Sequence, residues 1–378
     1  MCGLYFSYFD GINQNSNLSS EALFNKIIFL IKKKNYTRIY ELSQAYKDDT
    51  YFLKYFKETK ERKNIKKIVT ILKKQKVSRI NNTFLLDAIW NLSIEIDRRY
   101  KFVKKYIKNI SDEKIIFFKI LHNAINSINY QEIRGRDSLG LSVSLVLKKN
   151  SLELLNLKKK IKNSDKVFIK AKKELIFITI IYKTYNIIGS LGDNSENILN
   201  YISQCKILNF ILKNTKILKS YIIAHTRWAS VGKINLENTH PVFVKDKINK
   251  RVFVAMNGTI QNYKKFIKEK NNLSDTFAIP YLLSKVKSLK NIRNLKKRLE
   301  QLQGLFSIIF FFEDDPGKIF IYKTKNQGLY IGKNQNRLVV ASDKYGLVEE
   351  TNQMTDMKEE SFIIFDFYEN KVNFLKNK

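Results

Sequence analysis

Met1-Cys2-Gly3-Leu4-Tyr5-Phe6-Ser7-Tyr8-Phe9 opens the chain. If the initiator Met is removed, Cys2 carries a thiol and a free α-amine on one residue. That amine can act as general base for its own side chain, as an N-terminal Thr does. An unperturbed α-amine titrates near pH ~8 and a thiol near ~8.5, so both stand close to a working cytosolic pH. Gly3 to Phe9 reads as a short apolar strand, and Asp10-Gly11 as a turn. Alone this stretch is a weak signal, because many chains carry a small residue after Met.

The 378 residues suffice for more than one packed unit, and 44% hydrophobic with 13% aromatic content supports a substantial core. Only Cys2 and Cys205 could form a disulfide, so no disulfide framework or CxxC metal pair exists, which fits a reducing, cytoplasmic setting. His122, His225 and His240 lie far apart without metal-type partners at short spacing, and no metal or cofactor is expected. No secretory signal opens the chain. The longest apolar run, Leu175 to Tyr182, is far shorter than the ~20 residues a membrane helix needs, so no membrane partner is expected.

The net charge of +34 suggests polyanions. Its excess is mostly Lys, spread along the chain among Asn and Ile, while Arg, the usual phosphate fork, is scarce. Solvated Lys faces are the preferred reading, with no specific nucleic acid as partner.

From Ser19 to Tyr130 there is no Gly or Pro, and helical periodicity dominates. Leu86, Ile89, Ser93, Ile96, Tyr100, Val103 and Ile107 form one stripe of a long helix, read as an internal core seam, with a partner seam as the alternative. Ser111-Asp112-Glu113 reads as a capped helix start. Beyond Tyr130 the pattern alternates as strands do. Leu141 to Leu147, Val167 to Ile169, Leu175 to Ile181, Tyr221 to Ala224, Val252 to Ala255, Leu338 to Ala341 and Phe362 to Asp366 are strand candidates. Asn156 to Lys166 reads as a loop or hairpin tip. Gly192-Asp193-Asn194 opens a helix through Ile202. Thr276 to Val286 and Ile292 to Leu302 are further helices. Leu305 to Phe312 and Lys318 to Tyr322 flank a Glu313-Asp314-Asp315-Pro316-Gly317 turn as a hairpin.

Four segments require a joint explanation. They are Cys2-Gly3; Arg134-Gly135-Arg136-Asp137-Ser138-Leu139-Gly140; His225-Thr226-Arg227-Trp228-Ala229-Ser230 with Asn238-Thr239-His240-Pro241; and Asn257-Gly258-Thr259-Ile260-Gln261-Asn262-Tyr263 with Ser274-Asp275-Thr276. In this order they resemble class II glutamine amidotransferases, the N-terminal-nucleophile hydrolases, most closely the glutaminase domain of the glutamine–fructose-6-phosphate aminotransferases. Val339 to Asp343 and the strand ending at Asp366 fit the same pattern.

The resemblance implies an α+β fold, a four-layer αββα N-terminal-nucleophile sandwich with an all-helical insertion. Residues 1–12 and 130–370 would form the discontinuous amidotransferase domain, 13–129 an insertion of unknown role, and 371–378 a tail. It implies glutaminase activity: L-glutamine is cleaved to glutamate and ammonia through a Cys2 thioester. The Asn257 side chain and the Gly258 N–H would steady the oxyanion. Arg227 would hold the glutamine carboxylate and Asp275 its ammonium. Trp228 would belong to a closing lid, and Arg134 would support the N-terminus or the oxyanion site. Read without the resemblance, these residues are an ordinary turn, a surface Arg, a helix-capping Asp and a core Trp. His225 and His240 suit structural roles, and Cys205 reads as a buried small hydrophobe. Ile133, Arg136 and Val231 depart from the family pattern. The short C-terminal remainder suggests that a separate synthase subunit binds the ammonia acceptor, a sugar phosphate in the closest relatives. The alternative is a catalytically weak regulatory or scaffold relative that binds a partner through the helical insertion.

Overall fold

The computed structural model describes residues 2–10, 19–75, 79–107, 111–149, 166–186, 189–244, 251–267, 272–286, 292–334, 337–369 and 371–375. Strands with a residue period of two and both faces covered dominate the second half of the chain. In β1 (Gly3–Phe9) Leu4, Phe6 and Tyr8 point one way and Tyr5 and Phe9 the other, and all five are buried. A strand buried on both faces reads as a continuous apolar run, which is what residues 3–9 show.

β1 is an inner strand of an eight-stranded sheet. The others are β2 (Ser138–Lys148), β3 (Val167–Lys172), β4 (Leu175–Tyr185), β5 (Lys219–Arg227), β9 (Tyr330–Asn334), β10 (Arg337–Ala341) and β11 (Met354–Asp356), in the order β11-β9-β10-β1-β5-β2-β4-β3. A second sheet runs β13-β12-β8-β7-β6, from β6 (Val252–Ile260), β7 (Gly304–Phe312), β8 (Asp315–Lys323), β12 (Phe362–Asp366) and β13 (Lys371–Leu375). Leu4, Phe6, Tyr221 and Ile223 of the first sheet share one apolar cluster with Phe253, Ile309, Phe311 and Phe365 of the second. The opposite face of the second sheet packs Phe306, Ile308 and Phe310 against α10 (Ala278–Leu283) and α11 (Ile292–Leu299). The opposite face of the first packs Tyr5, Leu141 and Ile222 with helical residues.

Those helices are α1 (Ser20–Lys32), α2 (Tyr36–Ser43), α3 (Asp49–Lys57), α4 (Thr59–Lys73), α5 (Arg79–Trp90), α6 (Ile96–Tyr106) and α7 (Asp112–Gln131), with α8 (Asp193–Gln204) and α9 (Lys206–Asn214) later in the chain. α7 lies against β1 and β5 and is buried on nearly all sides from Ile115 to Gln131. It carries the helical region onto the strand that begins at the Cys2 thiol.

The long-helix stripe is corrected in detail. A π-helical turn at Asn91–Glu95 separates α5 from α6. The buried seam is Leu85, Ala88, Leu92, Ile96, Arg99 and Val103, while Leu86 is 55% exposed. This seam keeps spacings of three and four across the π-helical turn, and the expected stripe lies one residue to its side at Leu86, Ile89, Ser93 and Tyr100. Arg99 lies in this seam because buried partners meet its charge. Its Nη2 donates to Glu95 Oε1 at 3.0 Å and to Glu349 Oε2 at 2.8 Å, and its Nε donates to Asn123 Oδ1 at 3.1 Å.

Other expectations shift by smaller amounts. Asn257-Gly258 does not turn: both residues continue β6, opposite Ser307 and Phe306 of β7. The hairpin turn shortens to Glu313-Asp314, with Pro316 and Gly317 already inside β8. Ser111 precedes α7 without a side-chain capping bond. Lys371–Leu375, at the start of the expected tail, forms β13 beside β12. Residues 156–165 of the expected loop lie outside the described residues.

Candidate functional site

Three buried side chains hold the first three backbone nitrogens of the described chain. The Cys2 nitrogen donates to Asn257 Oδ1 at 2.9 Å, Gly3 N–H to Thr226 Oγ1 at 3.0 Å, and Leu4 N–H to Ser342 Oγ at 3.0 Å. Asn257 comes from β6, Thr226 from β5, and Ser342 follows β10. The thiol-bearing end of β1 is therefore gripped by both sheets. Gly3 allows the grip: a methyl group there would stand 2.6 Å from Gln131 Cβ and 2.7 Å from Thr226 Oγ1.

The Cys2 Sγ meets the loop after β5. Trp228 N–H donates to it at 3.3 Å, and the Trp228 carbonyl lies 3.8 Å away. Burial pushes the thiol above its ordinary value, while the Trp228 N–H and the nearby Arg227 charge pull it down. The Trp228 ring itself is 57% exposed, so it is not a core Trp. The peptide at Trp228 touches the sulfur while the indole faces solvent. Asp137 Oδ2 accepts from Ala229 N–H at 2.7 Å and fixes the following residue.

Arg227 is buried, and its Nη1 and Nη2 donate to the carbonyls of Lys233 and Val231. A guanidinium has five N–H donors, so these two bonds leave others for a ligand. Desolvation lowers its pKa from the ordinary value, and the charges of Cys2 and Asp275 oppose this. Asp275, at the start of a short 3-10 turn (Asp275–Phe277), accepts Ile260 N–H at Oδ2 (2.7 Å) and Thr276 N–H at Oδ1 (3.0 Å). Burial pushes its carboxyl up to about 6 against those bonds and the Arg227 charge. Ser274, not Asp275, occupies the position before the turn.

Gly258 has φ +125°, and a methyl group there would lie 2.1 Å from the Leu305 carbonyl oxygen. Only glycine satisfies both conditions, which explains Asn-Gly inside a strand. Arg134 stands apart from the Cys2 contacts and pairs with Asp343, whose neighbour Ser342 holds Leu4. His225 and His240 form a buried pair: His225 Nε2 lies 2.7 Å from the Met256 carbonyl and 3.0 Å from His240 Nδ1. Burial lowers His225 to about 3 and holds His240 well below its ordinary value, so both are neutral imidazoles that brace the residue before Asn257.

Cys2, Trp228 and Asn257 thus meet directly, with the charges of Arg227 and Asp275 acting on the same sulfur. Sequence reasoning missed Thr226, Ser342 and Gln131 as supports of the Cys2 end of β1. Thr226 and Ser342 lay inside segments already quoted, but single hydroxyls carry no positional signal until a backbone N–H faces them. Among the described residues no group of three or more His, Cys, Asp or Glu could hold a metal ion, and no helix is long and apolar enough to cross a membrane.

This arrangement, a Cys at the start of a strand with Asn257-Gly258, a buried Arg and a buried Asp around it, lies in a chain that is similar over part of its length to class II glutamine amidotransferases. Residues 202–302 match the family described as "Glutamine amidotransferases class-II". The glutamine–fructose-6-phosphate aminotransferase [isomerizing] of Buchnera aphidicola is 29% identical over 191 residues, covering 47% of this chain and 30% of that protein. The Listeria innocua protein of the same name is 31% identical over 149 residues, covering 38% of this chain and 24% of that protein. The matches thus span less than a third of those relatives. A solved structure titled as the allosteric regulatory enzyme of purine biosynthesis aligns with TM-score 0.45 and 15% identity, covering 68% of this chain and 46% of that one.

Proposed function

We propose that this chain hydrolyses L-glutamine to glutamate and ammonia through a γ-glutamyl thioester on Cys2. The observation that carries the reading is Asn257 Oδ1 on the Cys2 nitrogen at 2.9 Å. One amide then serves two ends: its oxygen orients the α-nitrogen, and its NH₂ is left to face a substrate oxygen.

Removal of Met1 turns the Cys2 nitrogen into an amine. The amine takes the thiol proton as sulfur attacks the carboxamide carbon of glutamine. A C–S bond forms, and the amide oxygen gains negative charge. Asn257 Nδ2 and Gly258 N–H receive that charge, each donor worth about 10²–10³ in rate. The amine returns its proton to the leaving nitrogen, ammonia departs, and water cleaves the thioester. Arg227 binds the α-carboxylate and Asp275 the α-ammonium, both already charged and buried beside the sulfur. The loop led by Trp228 closes over the substrate. Arg134 acts at one remove, through Asp343.

In this reading residues 1–12 and 130–370 form the αββα N-terminal-nucleophile frame, and 13–129 an insertion. The apolar layer between the two sheets, with helices on both outer faces, supports it. Ammonia passes to an acceptor bound elsewhere; the relatives' names suggest a sugar phosphate.

Intact-mass measurement before and after a glutamine-analogue electrophile tests the mechanism. Loss of Met1 and a single adduct at Cys2 are expected. A Cys2→Ala variant that releases ammonia as fast as the parent overturns it.

A further inference from the structure

Gln131 is the last residue of α7, and its side chain is buried under the start of β1. Its amide is fixed at both ends. Nε2 donates to the Ser127 carbonyl at 3.2 Å and to Ser127 Oγ at 3.1 Å, and Oε1 accepts from Ser342 Oγ at 2.8 Å. The orientation is determined, because the reverse would set two carbonyl oxygens against each other. Its Cβ is the atom that a methyl at Gly3 would strike at 2.6 Å, and its Nε2 lies 2.5 Å from where a methyl at Gly346 would stand. Glycines on two sides leave room for this one side chain.

The Ser342 hydroxyl has one hydrogen and two acceptors in reach. Gln131 Oε1 is at 2.8 Å, and the Cys2 carbonyl oxygen is at 3.2 Å. Ser342 Oγ in turn accepts Leu4 N–H at 3.0 Å. The nearer acceptor, Gln131 Oε1, takes that hydrogen, so Gln131 fixes the orientation in which the Ser342 hydroxyl accepts Leu4 N–H and stands beside the Cys2 carbonyl. The Cys2 carbonyl shares a peptide plane with the Gly3 nitrogen, and the rotation of that plane sets where the Cys2 Cα–Cβ bond aims.

We infer that Gln131 is a positioning residue for the Cys2 nucleophile, acting through the Ser342 hydroxyl and joining the end of the helical region to the reacting sulfur. This rests on Cys2 being the nucleophile. Misplacement of a reacting atom by about 1 Å can cost on the order of 10²-fold in rate, so the arm acts on turnover and not on glutamine affinity.

The experiment is a double-mutant cycle of Gln131→Met and Ser342→Ala in the full chain, with kcat expressed per Cys2 titrated by the γ-diazoketone analogue of glutamine. Each single variant is expected to lower kcat about tenfold or more with KM within about twofold. The double variant is expected to be no slower than the slower single, because both remove one arm. A kcat for Gln131→Met within twofold of the parent overturns the inference, as does a double variant whose losses multiply. Should Gln131→Met fold poorly, Ser127→Ala loosens the same amide from its other end; a threefold fall in kcat is expected, and none overturns the inference. A Cys2→Ala chain that still releases ammonia sinks the proposed nucleophile instead, which separates the two failures.

Discussion

Asn257 Oδ1 and the Cys2 nitrogen stand 2.9 Å apart although 255 positions separate them in the chain. The bond places the end of β1 against β6, across the layer between the two sheets. Nothing local to either residue requires the other. The sheets bring them together, and the contact joins the proposed nucleophile to the group that would face its oxyanion.

Replacing Asn257 by Ala removes both that restraint and an oxyanion donor. Steady-state glutaminase assay is expected to show kcat reduced by about 10²–10³-fold. Cys2 should still be alkylated by iodoacetamide, because its sulfur keeps the Trp228 contact.

Asp275 carries a pH dependence. Its carboxyl titrates at about 6, raised by burial. Above that pH the carboxylate that the proposed mechanism assigns to the α-ammonium is present, and below it the group is neutral. kcat/KM, which reports the free enzyme, is therefore expected to fall as pH drops through about 6. Asp275→Asn should remove that acid limb and raise KM at pH 7.5. An unchanged limb in the variant would assign it to another group.

A methyl group at Gly258 meets two obstacles, a φ of +125° and the Leu305 carbonyl oxygen at 2.1 Å. Gly258→Ala is expected to destabilise the fold by about 2–3 kcal/mol and to reduce activity further by pushing β6 from β7. Thermal unfolding and the glutaminase assay read the two effects separately.

The helical region is tied to the segment after β10 by a buried charge pair, Arg99 with Glu349, and Glu349 Oε1 also accepts Asn126 Nδ2 at 3.1 Å. Arg99→Ala takes from Glu349 and Glu95 their nearest cation and leaves Glu95 with Lys47 at 3.9 Å. Urea unfolding is expected to show a loss of about 3–5 kcal/mol. Replacing Arg99 and both acids together by apolar residues of similar size should cost much less.

Sequence alone determined the mixed helix-and-sheet character and singled out the residues on which the proposed function rests. Cys2, Arg227, Asn257 and Asp275 were legible because their neighbours form ordered motifs, and the strands because apolar residues fill both alternating faces. Helices were legible as a region without Gly or Pro. Their register was not, because apolar residues flank the buried seam and a charged residue, Arg99, occupies one of its positions. Nor could the sequence show that Asn257-Gly258 stays in a strand, since the local preference of that pair is a turn. Only its pairing with Ser307 and Phe306 overrides that preference. The supports of the nucleophile, Thr226, Ser342 and Gln131, were decided by tertiary structure alone. A hydroxyl or an amide becomes specific only when one particular N–H or O–H is placed within about 3 Å of it, and here three remote stretches of chain, held by the sheets and α7, provide that placement.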